Sequence, residues 1–587
     1  MDNRPRPYTI NPPKNPSHLT QAFEDLGSYQ EVGGIMATKR LRSFLFLTSL
    51  TLVLLALGAC GSSEESAPAV SATAAPGTTS SSSGQASAKH GGILQLRAPR
   101  NMGKMDPVQS DTGADSVWMQ RVYGVLIFIE ADGSLTPQLA ESWDLASDFS
   151  SLTFKLKEGI KFHDGTDFNA QSVQVHIQRM KDPSFKQELA KRLAPIGSTE
   201  ILDSHTIKMN LTEKNVMIVP AFAIRSGMVP SPTAVSKVSL EEYNLNPVGA
   251  GPFSFKEWVS DSHVEYAKWG QSFDPMLPHL DGIKVNVIRD SSVALASFRA
   301  KELDILELSD SQVNLVADDA NITLQKLPWK AMEYLALNPR HAPLDDLRVR
   351  QAVSLAIDQT ALIEGVHRGN AAYNYGPCIW RVFGNLCNES YRQYEFDPDR
   401  AKALLKEAGF ANGVDVGPVY WYSFGKPTPR LIAIQSMLKD VGIRLTLDPL
   451  EGRQATIKFQ VKKEGAMYNS HTDCPDDIDL CIRSHFHSAS PRYFAGGIAS
   501  DWAGKPVNID GFDPKALDKL IDDALRTSVD AERKKLYLEA QNMIVDNVLE
   551  VFIPHILGVT ASHNYVKNFK KFPHGGADNE FETWLDK

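Results

Sequence analysis

The stretch FKLKEGIKFHDG, residues 154–165, carries the most informative local pattern in the chain. From Leu152 to Leu156 apolar and polar residues alternate, which is typical of a half-buried β-strand. Glu158-Gly159 and Asp164-Gly165 then bracket a short apolar strand with tight turns, because glycine adopts turn conformations at little cost. Each turn alone predicts an ordinary hairpin, so the meaning of the stretch depends on what surrounds it.

The same two periodicities recur along the rest of the chain. Period-two alternation predicts further strands at Ile207–Leu211, Ile283–Val287 and Ile443–Leu447. Helical spacing with caps and stops predicts helices at Val349–Ile357 after Asp345 and Asp346, from Asp397 to Gly409, around Leu517–Ile521 and around Leu536–Ile544. Strands and helices mix throughout without an internal repeat, so the sequence predicts an α/β fold.

The first sixty residues have the layout of an export signal. Basic residues at 39–42 precede an apolar run of fifteen residues, Phe44–Gly58, which is shorter than the ~20 residues that span a bilayer. The run ends in the tetrapeptide LGAC, whose last residue is Cys60. This tetrapeptide resembles the lipobox of bacterial lipoproteins, in which the cysteine is acylated and becomes the new N-terminus.

Two segments flank this signal. Residues 61–89 are rich in Ser, Ala, Thr, Gly and Pro and bury too little apolar surface to offset their ordering entropy, so we expect a flexible tether. Residues 1–35 are polar and Pro-rich and unlike a targeting sequence. We therefore expect translation to start at Met36, with 1–35 as a non-native extension and 36–60 as the lipoprotein signal peptide.

Length and charge narrow the class of protein. About 500 residues follow the tether, more than the ~250 to 300 that a single hydrophobic core supports, so we expect two or more lobes. The formal net charge is −9 over 587 residues, with both signs interspersed. This distribution argues against nucleic-acid binding and against a polybasic membrane-surface protein.

Apart from the lipobox cysteine, the cysteines fall into two close pairs, Cys378 with Cys387 and Cys474 with Cys481. An exported compartment permits disulfides, and loops of this size would contribute roughly 2 to 3 kcal/mol each. The second pair has an alternative, because with His485 and His487 it could supply four zinc-type ligands. We favour two disulfides and expect no metal site.

Motifs of catalysis are missing from the sequence. It contains no Gly-x-Ser-x-Gly elbow, no His-Glu-x-x-His pair and no Gly-Lys-Ser/Thr phosphate loop, and Gly249-Ala250-Gly251 lacks the third glycine of a dinucleotide turn. The acidic cluster at 476–479 lacks the glycine turn and terminal glutamate of a calcium loop. We therefore expect neither an enzyme nor a cofactor.

Several stretches, in order along the chain, resemble the extracellular solute-binding proteins of family 5, which serve dipeptide, oligopeptide and nickel importers. They are GGIL at 91–94, MDP at 105–107, LTPQLAESW at 135–143, the FKLKEGIKFHDG stretch, PVGAGPF at 247–253, DDLRVRQA at 345–352 and the segment 533–544. The occurrence of all these stretches in this order is far more specific for the family than any one stretch alone.

The resemblance implies the fold. We expect two α/β lobes of the type II periplasmic-binding-protein kind, closing on a buried ligand by a hinge motion, with a subdomain inserted in the first lobe. Gly249 and Gly251 would allow the backbone to bend where the lobes meet. The expected boundaries are 90–340 for the first lobe, with the insertion at about 131–247, then 341–545 for the second lobe and 546–587 for a return to the first.

The resemblance also indicates where a solute would bind. In peptide-binding members an aspartate late in the second lobe pairs with the α-ammonium of the ligand, and Asp473 occupies the corresponding place. A carboxylate buried by closure would make a charge-assisted hydrogen bond, whereas the alternative is a surface aspartate beside a disulfide. Trp421, Tyr422 and Trp380 are candidate aromatic contacts, with packing in the core as their alternative.

The sequence as a whole thus predicts a monomeric, lipid-anchored binding protein outside the cytoplasm. It would capture a small solute, in first place a short peptide, and deliver it to the permease of an ABC importer. A nickel chelate or an oligosaccharide could replace the peptide, because fold does not fix the ligand. An exported hydrolase and a structural lipoprotein without a ligand are the alternatives from other classes.

Overall fold

The computed structural model describes the following residues: 88–110, 115–130, 133–185, 192–328, 331–378, 386–388, 391, 394–421, 427–450, 453–462, 464–473, 478–490, 512–572 and 578–587. Contacts divide the chain into two units, Met1–Ser83 and Gly84–Lys587. The first unit lies outside the described residues, and with it the predicted signal peptide and Cys60. No helix within the described ranges has the length and apolar composition needed to cross a membrane.

The strands, numbered in chain order, are β1 Ile93–Ala98, β2 Ile127–Ile129, β3 Leu135–Pro137, β4 Ala140–Leu145, β5 Ser151–Leu156, β6 Ile196–Asp203, β7 Thr206–Leu211, β8 Phe253–Val259, β9 His263–Lys268, β10 Gly282–Val287, β11 Ile305–Leu308, β12 Ile322–Pro328, β13 Ala331–Leu337, β14 Ala371–Ala372, β15 Val414–Trp421, β16 Ile443–Leu447, β17 Met467–Asp473, β18 Glu550–Phe552, β19 His555–His563, β20 Val566–Lys567 and β21 Trp584–Leu585.

The α-helices are α1 Ser116–Tyr123, α2 Ala170–Lys181, α3 Pro232–Lys237, α4 Leu240–Leu245, α5 Ser291–Arg299, α6 Asp310–Val313, α7 Leu347–Leu355, α8 Gln359–Ala361, α9 Pro398–Glu407, α10 Pro429–Asp440, α11 Arg453–Thr456, α12 Ile478–Phe486, α13 Pro514–Leu525 and α14 Asp530–Asp546. Short 3-10 turns lie at Pro183–Phe185, Val216–Ile218, Pro220–Ala223 and Arg225–Gly227, and π-helical turns follow α8 and α11 at Leu362–Val366 and Ile457–Val461.

The elements predicted from periodicity are confirmed. The four alternating stretches lie in β5, β7, β10 and β16, and the four helical patterns correspond to α7, α9, α13 and α14. Asp346 caps α7 by accepting a hydrogen bond from the Arg348 amide, and Asp397 caps α9 in the same way. Gly409, just beyond α9, has a φ of 92°, so it ends the helix as predicted.

The FKLKEGIKFHDG stretch connects β5 to the segment before α2, and its glycines form the predicted turns. Gly159 and Gly165 have φ values of 76° and 82°, the left-handed region that favours glycine. The carboxylate of Asp164 accepts hydrogen bonds from the Thr166 amide at 3.0 Å and from the Ser231 hydroxyl at 2.6 Å. The stretch therefore links β5 to the start of α3.

Gly249 and Gly251 pack closely against α1. A Cβ at Gly249 would lie 2.3 Å from the carbonyl oxygen of Val122, and one at Gly251 would lie 2.7 Å from that of Arg121. The amide of His163 donates to the Gly249 carbonyl at 2.9 Å. The lack of a side chain is therefore required for this packing, and the bend expected where the lobes meet stays a prediction.

Two four-stranded sheets organise the N-terminal half of the described chain. The sheet β1-β10-β9-β8 pairs β1 and β10 in parallel and the remaining neighbours antiparallel. The sheet β4-β5-β7-β6 is antiparallel throughout and lies within the range expected for the insertion. Each is built around an apolar cluster of its own, so the two sheets form separate cores.

The five-stranded sheet β16-β15-β17-β13-β18 has three of its strands, β15, β16 and β17, in the range expected for the second lobe, 341–545, whereas β13 and β18 lie just outside that range. Its interior strand β13, between β17 and β18, is buried along its whole length, and its side chains alternate between two cores. Met332, Tyr334 and Ala336 belong to the cluster formed with α12, α13 and α14. Leu335 and Leu337 belong to the cluster formed with α7, α9 and α10. The sheet is thus covered by helices on both faces.

Candidate ligand-binding site

Three strands of the five-stranded sheet meet at one end. β15 and β17 are parallel neighbours that finish at Trp421 and Asp473. β13 is antiparallel to β17 and begins at Ala331, opposite Asp473. Ligands of open α/β sheets bind outside the carboxyl ends of the strands. We call this end of the sheet, marked by Ala331, Trp421 and Asp473, the carboxyl end.

The chain also crosses between two sheets at the carboxyl end. β12 lies in the sheet β11-β19-β12 and finishes at Pro328, just before β13 begins. β18 finishes at Phe552, beside the start of β13, and β19 begins at His555. The first crossing enters the five-stranded sheet here and the second leaves it. A ligand at the carboxyl end would therefore lie beside both connections between these two sheets.

One buried asparagine joins these two crossings. Asn374 is 3% exposed, and its Nδ2 donates to the carbonyl oxygen of Ile553 at 3.2 Å and to that of Glu333 at 3.4 Å. Gln359 in turn accepts a hydrogen bond from the Asn374 amide at 2.9 Å. The backbone beneath the carboxyl end is therefore held by a short hydrogen-bond network.

The predicted ligand contacts lie in different environments in the structure. Asp473 ends β17 at the carboxyl end, as the prediction requires of its backbone. Trp421 ends β15 but is 2% exposed and packs in the apolar cluster with α7, α9 and α10, the alternative considered for it. Trp380 and Tyr422 lie outside the described residues. Their roles as ligand contacts stay predictions.

Sequence reasoning missed a buried ion pair next to the carboxyl end. Arg430, the second residue of α10, has its Nη2 2.8 Å from Oε2 of Glu333 in β13. Arg430 is 8% exposed and Glu333 6% exposed. Opposite charges that are this close together and buried from water interact far more strongly than an exposed surface pair does.

Two local features could have indicated this pair. Glu333 is the single charged residue in the strand AMEYLAL, and a charge in such an apolar strand needs a partner. Thr428 and Pro429 have the cap and first-turn chemistry of a helix start, and the Thr428 hydroxyl accepts from the Leu431 amide. A helix that starts just after a strand begins at the carboxyl end.

The first predicted disulfide is present beside this region. Cys378 and Cys387 are bonded, with their Cα atoms 5.6 Å apart. The carbonyl oxygen of Cys378 lies 3.1 Å from Nε2 of His555, at the start of β19. Burial lowers the pKa of His555 to about 4, so the ring is neutral at physiological pH and Nε2–H can donate to this carbonyl. The bridge and the crossing are thus in direct contact.

The second predicted pair is described only in part. Cys481 in α12 is fully buried and disulfide-bonded. Cys474 lies outside the described residues, so its pairing with Cys481 stays a prediction. A sulfur held in a disulfide is not a thiolate, which is the form that binds zinc.

The two histidines of the zinc alternative contact different carboxylates. Nδ1 of His485 lies 2.9 Å from Oε1 of Glu550 in the core of the second lobe. Nε2 of His487 lies 3.3 Å from Oδ1 of Asp522, which belongs to α13. These separate ion-pairing partners, together with the bonded Cys481, argue against a shared zinc site.

Another possible metal group lies on the first-lobe sheet, at Glu257, His263 and Glu265, whose ligand atoms fall within 4.8 Å of one another. Glu265 already binds Lys284 at 2.8 Å and Lys256 at 2.9 Å. These hydrogen bonds hold the pKa of Glu265 at about 2. Two ammonium groups thus occupy its carboxylate, and the group is better described as an ion-pair network of β8, β9 and β10.

Comparison with known families and proteins gives a consistent result. The chain matches the family model of bacterial extracellular solute-binding proteins, family 5, middle region, over residues 134–479, which is more than half of its length. It is similar to the glutathione-binding protein GsiB of Shigella flexneri serotype 5b (strain 8401), with 28% identity over 460 residues, covering 76% of this chain and 85% of that relative.

Two solved structures illustrate the structural likeness. The periplasmic binding protein DppA from Helicobacter pylori, in complex with the peptide STSA, has a TM-score of 0.68 and 23% identity and covers 85% of this chain and 99% of its own. NikZ from Campylobacter jejuni, in complex with Ni(L-His), has a TM-score of 0.65 and 21% identity and covers 83% of this chain and 97% of its own. At these identities the likeness concerns the fold, and it confirms the predicted type II periplasmic-binding-protein architecture.

Proposed function

Because the chain belongs to the bacterial extracellular solute-binding proteins of family 5, we propose that it binds a short peptide between its lobes and delivers it to the permease of an ABC importer. The similarity to a glutathione-binding protein across 76% of the chain carries the peptide assignment, because glutathione is itself a short peptide. The proposed role is binding and release without turnover.

The carboxyl end supports this proposal through its position. It lies beside both crossings between the five-stranded sheet and the sheet β11-β19-β12, where closure of the lobes would remove the ligand from water. Asp473 would bind the α-ammonium of the peptide, with Tyr422 and Trp380 as aromatic contacts. Hydrogen bonds between charged groups strengthen when the site is desolvated, so closure would tighten the bond to Asp473.

The proposed location follows from the N-terminal signal. Residues 36–60 would direct export, acylation of Cys60 would anchor a monomer to the membrane, and residues 61–89 would tether the lobes within reach of the permease. A Cys60→Ala variant should then leave the membrane fraction of fractionated cells. Retention of the variant at the wild-type level would place the anchor elsewhere.

The ligand can be identified directly. Native mass spectrometry of the purified protein should show one small molecule per chain, and titration calorimetry with glutathione, Ser-Thr-Ser-Ala and Ni(L-His) should give stoichiometric binding of a peptide. Chromatography of the recovered ligand should find it intact. Cleaved peptide would indicate a hydrolase instead, and exclusive binding of Ni(L-His) would replace the peptide with a metal chelate.

A further inference from the structure

Met217, in the range expected for the insertion, contacts Arg533, in the range expected for the second lobe. Nη2 of Arg533 donates to the thioether sulfur of Met217 at 3.4 Å, although the two residues are 316 positions apart. Met217 lies in the 3-10 turn Val216–Ile218, whose Ile218 is fully buried in the apolar cluster of the sheet β4-β5-β7-β6. Arg533 lies near the start of α14, which packs in a different cluster. The contact therefore joins two bodies that have separate cores.

Each side chain of this contact is positioned by its own body. The amide of Met217 donates to the side chain of Asn215 at 2.9 Å, which fixes the turn. The guanidinium carbon of Arg533 lies 5.3 Å from the ring centroid of Tyr537, one turn further along α14, within the range of a cation–π interaction. Tyr537 is itself fully buried. The two side chains are thus held ready, and they meet when the two bodies come together.

The contact lies near the carboxyl end of the five-stranded sheet. The hydroxyl of Tyr537 donates to Oδ1 of Asp479 at 3.1 Å. Asp479 is the second residue of α12, the helix that follows β17 along the chain. Because β17 finishes at the carboxyl end, α12 begins near that end, and Arg533 lies close to its first turn. Met217 approaches from the other body, so the contact lies on the side of the sheet where the ligand is proposed to bind.

The chemistry of the contact makes it weak. A thioether sulfur is a weak hydrogen-bond acceptor, whereas a carboxylate in its place would form a far stronger pair with arginine. Both side chains are half-buried, so separation of the two bodies would return the guanidinium to water. An interaction that is made in only one of two arrangements shifts the equilibrium between them by its own free energy. A weak contact therefore biases the equilibrium without fixing it.

We propose that Met217 and Arg533 form a latch that stabilises the closed arrangement of the two lobes and breaks when they open. The latch does not touch the solute. It acts on the affinity through the fraction of closed protein, because a ligand that requires the closed arrangement binds in proportion to that fraction. The inference rests on the proposed function for its ligand, whereas the latch itself also operates in the ligand-free protein.

The closed fraction can be measured with spin labels on the two bodies. Leu202→Cys and Lys439→Cys place the labels at exposed positions of β6 and α10 of the full chain. Pulsed electron spin resonance then gives the populations of near and far distances. Met217→Leu keeps the volume of the side chain and removes the sulfur acceptor. In the ligand-free protein it should lower the ratio of near to far populations about three- to tenfold, the effect of losing one hydrogen bond.

Two further variants control for volume and for surface effects. Met217→Gln provides an oxygen acceptor at similar reach, so it should keep the wild-type ratio of distances or raise it. Met276→Leu is the matched control, because Met276 is 65% exposed and lies outside the contact. It should leave the ratio unchanged. A fall of the ratio in Met276→Leu that equals the fall in Met217→Leu would overturn the latch.

A double-mutant cycle isolates the contact from the other interactions of Arg533. Arg533→Gln also removes the cation–π interaction with Tyr537, so its own effect on the distances is not specific to the latch. In the Met217→Leu background, Arg533→Gln should lower the near-to-far ratio by a smaller factor than it does in the wild-type protein, because the shared contact is already lost. Independent, multiplicative effects would overturn the latch.

Calorimetric titration with Ser-Thr-Ser-Ala and with glutathione connects the latch to binding. Met217→Leu should weaken the binding of either peptide by no more than the factor seen in the distances, because it acts only through the closed fraction. A larger loss would place Met217 in the ligand site and overturn the latch.

The outcomes separate the latch from the proposed function. Distance populations that Met217→Leu leaves unchanged overturn the latch, and peptide binding then stands on its own titration. A protein that binds neither peptide, but whose distances shift in Met217→Leu, retains the latch and loses the proposed function. Thermal melts show that each variant is folded. If Arg533→Gln does not fold, the comparison of Met217→Leu with Met217→Gln decides, since the latch requires their ratios to differ.

Discussion

Arg121 in the first lobe and Arg430 in the second are both buried beside a glutamate, yet their hydrogen bonding differs. Nε and Nη2 of Arg121 donate to the two carboxylate oxygens of Glu580 at 2.5 Å, and Nη1 donates to the Val117 carbonyl. The cavity beside this pair is about 10 Å³, room for at most one water. Arg430 makes a charge contact with Glu333, and its Nε and Nη1 have no hydrogen-bond partner in the part of the chain that the structure describes.

The comparison separates a fully hydrogen-bonded ion pair from one that is held by a charge contact. Burial lowers the pKa of Arg121, but the charge and hydrogen bonds of Glu580 outweigh burial and raise the pKa above its ordinary value. Glu580 therefore compensates the charge of Arg121 within the fold. The predictions that follow address the difference between these two regions.

The largest expected effect is acid destabilisation, which bears on both regions. Burial lowers the pKa of His163, His176 and His555 to about 4, below the 6.5 of an unfolded histidine. Between these two pH values the unfolded chain therefore binds protons that the folded chain does not bind. The stability that these neutral histidines contribute is fully present above pH 6.5. It is lost as the pH falls towards 4, by about 3 kcal/mol for each histidine.

His163 and His176 lie in the first lobe, whereas His555 begins β19 and contacts the Cys378 carbonyl at the carboxyl end. Urea unfolding at pH 5 and pH 7.5 measures the loss of stability in acid. The His163→Gln, His176→Gln double variant should recover about twice as much of the acid loss as His555→Gln does, because each histidine contributes independently. Equal recovery would mean that acid acts through other groups.

The second prediction compares the two ion pairs by mutation. Arg121→Met should destabilise the protein by about 3 to 5 kcal/mol, because it leaves Glu580 buried without a counter-charge. The Arg430→Gln, Glu333→Gln double variant should cost about 1 kcal/mol or less, since that pair has few directed hydrogen bonds to lose. Urea unfolding at neutral pH gives both values. If the two costs are similar, Arg430 is a structural residue like Arg121.

A control distinguishes lost charge pairing from lost volume in the first lobe. Replacing both partners, Arg121→Met with Glu580→Leu, should recover most of the stability lost in Arg121→Met, because no unpaired charge remains. Ligand affinity should stay at the wild-type level in the folded fraction of either variant. A fall in affinity would connect Arg121 to the ligand site.

The third prediction concerns Asp473, at the carboxyl end. Asp473→Ala should weaken peptide binding by about 2 to 5 kcal/mol, because it removes the partner of the ligand's ammonium. Its effect on unfolding should stay within about 0.5 kcal/mol, the range of a residue without a structural role. Calorimetry beside a thermal melt of the same variant checks both values. Unchanged affinity would remove Asp473 from the site.

The smallest effect is expected from the disulfide. The Cys378→Ser, Cys387→Ser variant should lose roughly 2 to 3 kcal/mol of stability, because the bridge restrains the unfolded chain over a short loop. Urea unfolding measures this loss, and the same titration in reductant should abolish the difference between wild type and variant. A difference that persists in reductant would show that the cysteines contribute by packing instead.

Local sequence chemistry was sufficient for much of the fold. Strands such as β5 and β16 were predictable because their side chains alternate between a buried and an exposed face. Helices α7 and α9 were predictable because Asp346 and Asp397 satisfy backbone amides within one turn. The close packing of Gly249 and Gly251 was not predictable from local sequence, because the backbone they contact, in α1, lies more than a hundred positions away.

The sequence by itself determined the α/β class, the element boundaries set by caps and turns, and the family resemblance. Only the tertiary structure decided that Glu333 meets Arg430, since the two are about a hundred positions apart and meet because β13 and α10 are packed together. The tertiary structure alone also showed that every guanidinium nitrogen of Arg121 donates a hydrogen bond. Periodicity reports the face on which a residue lies, whereas the pairing of buried charges depends on sheet order and on every group packed around them.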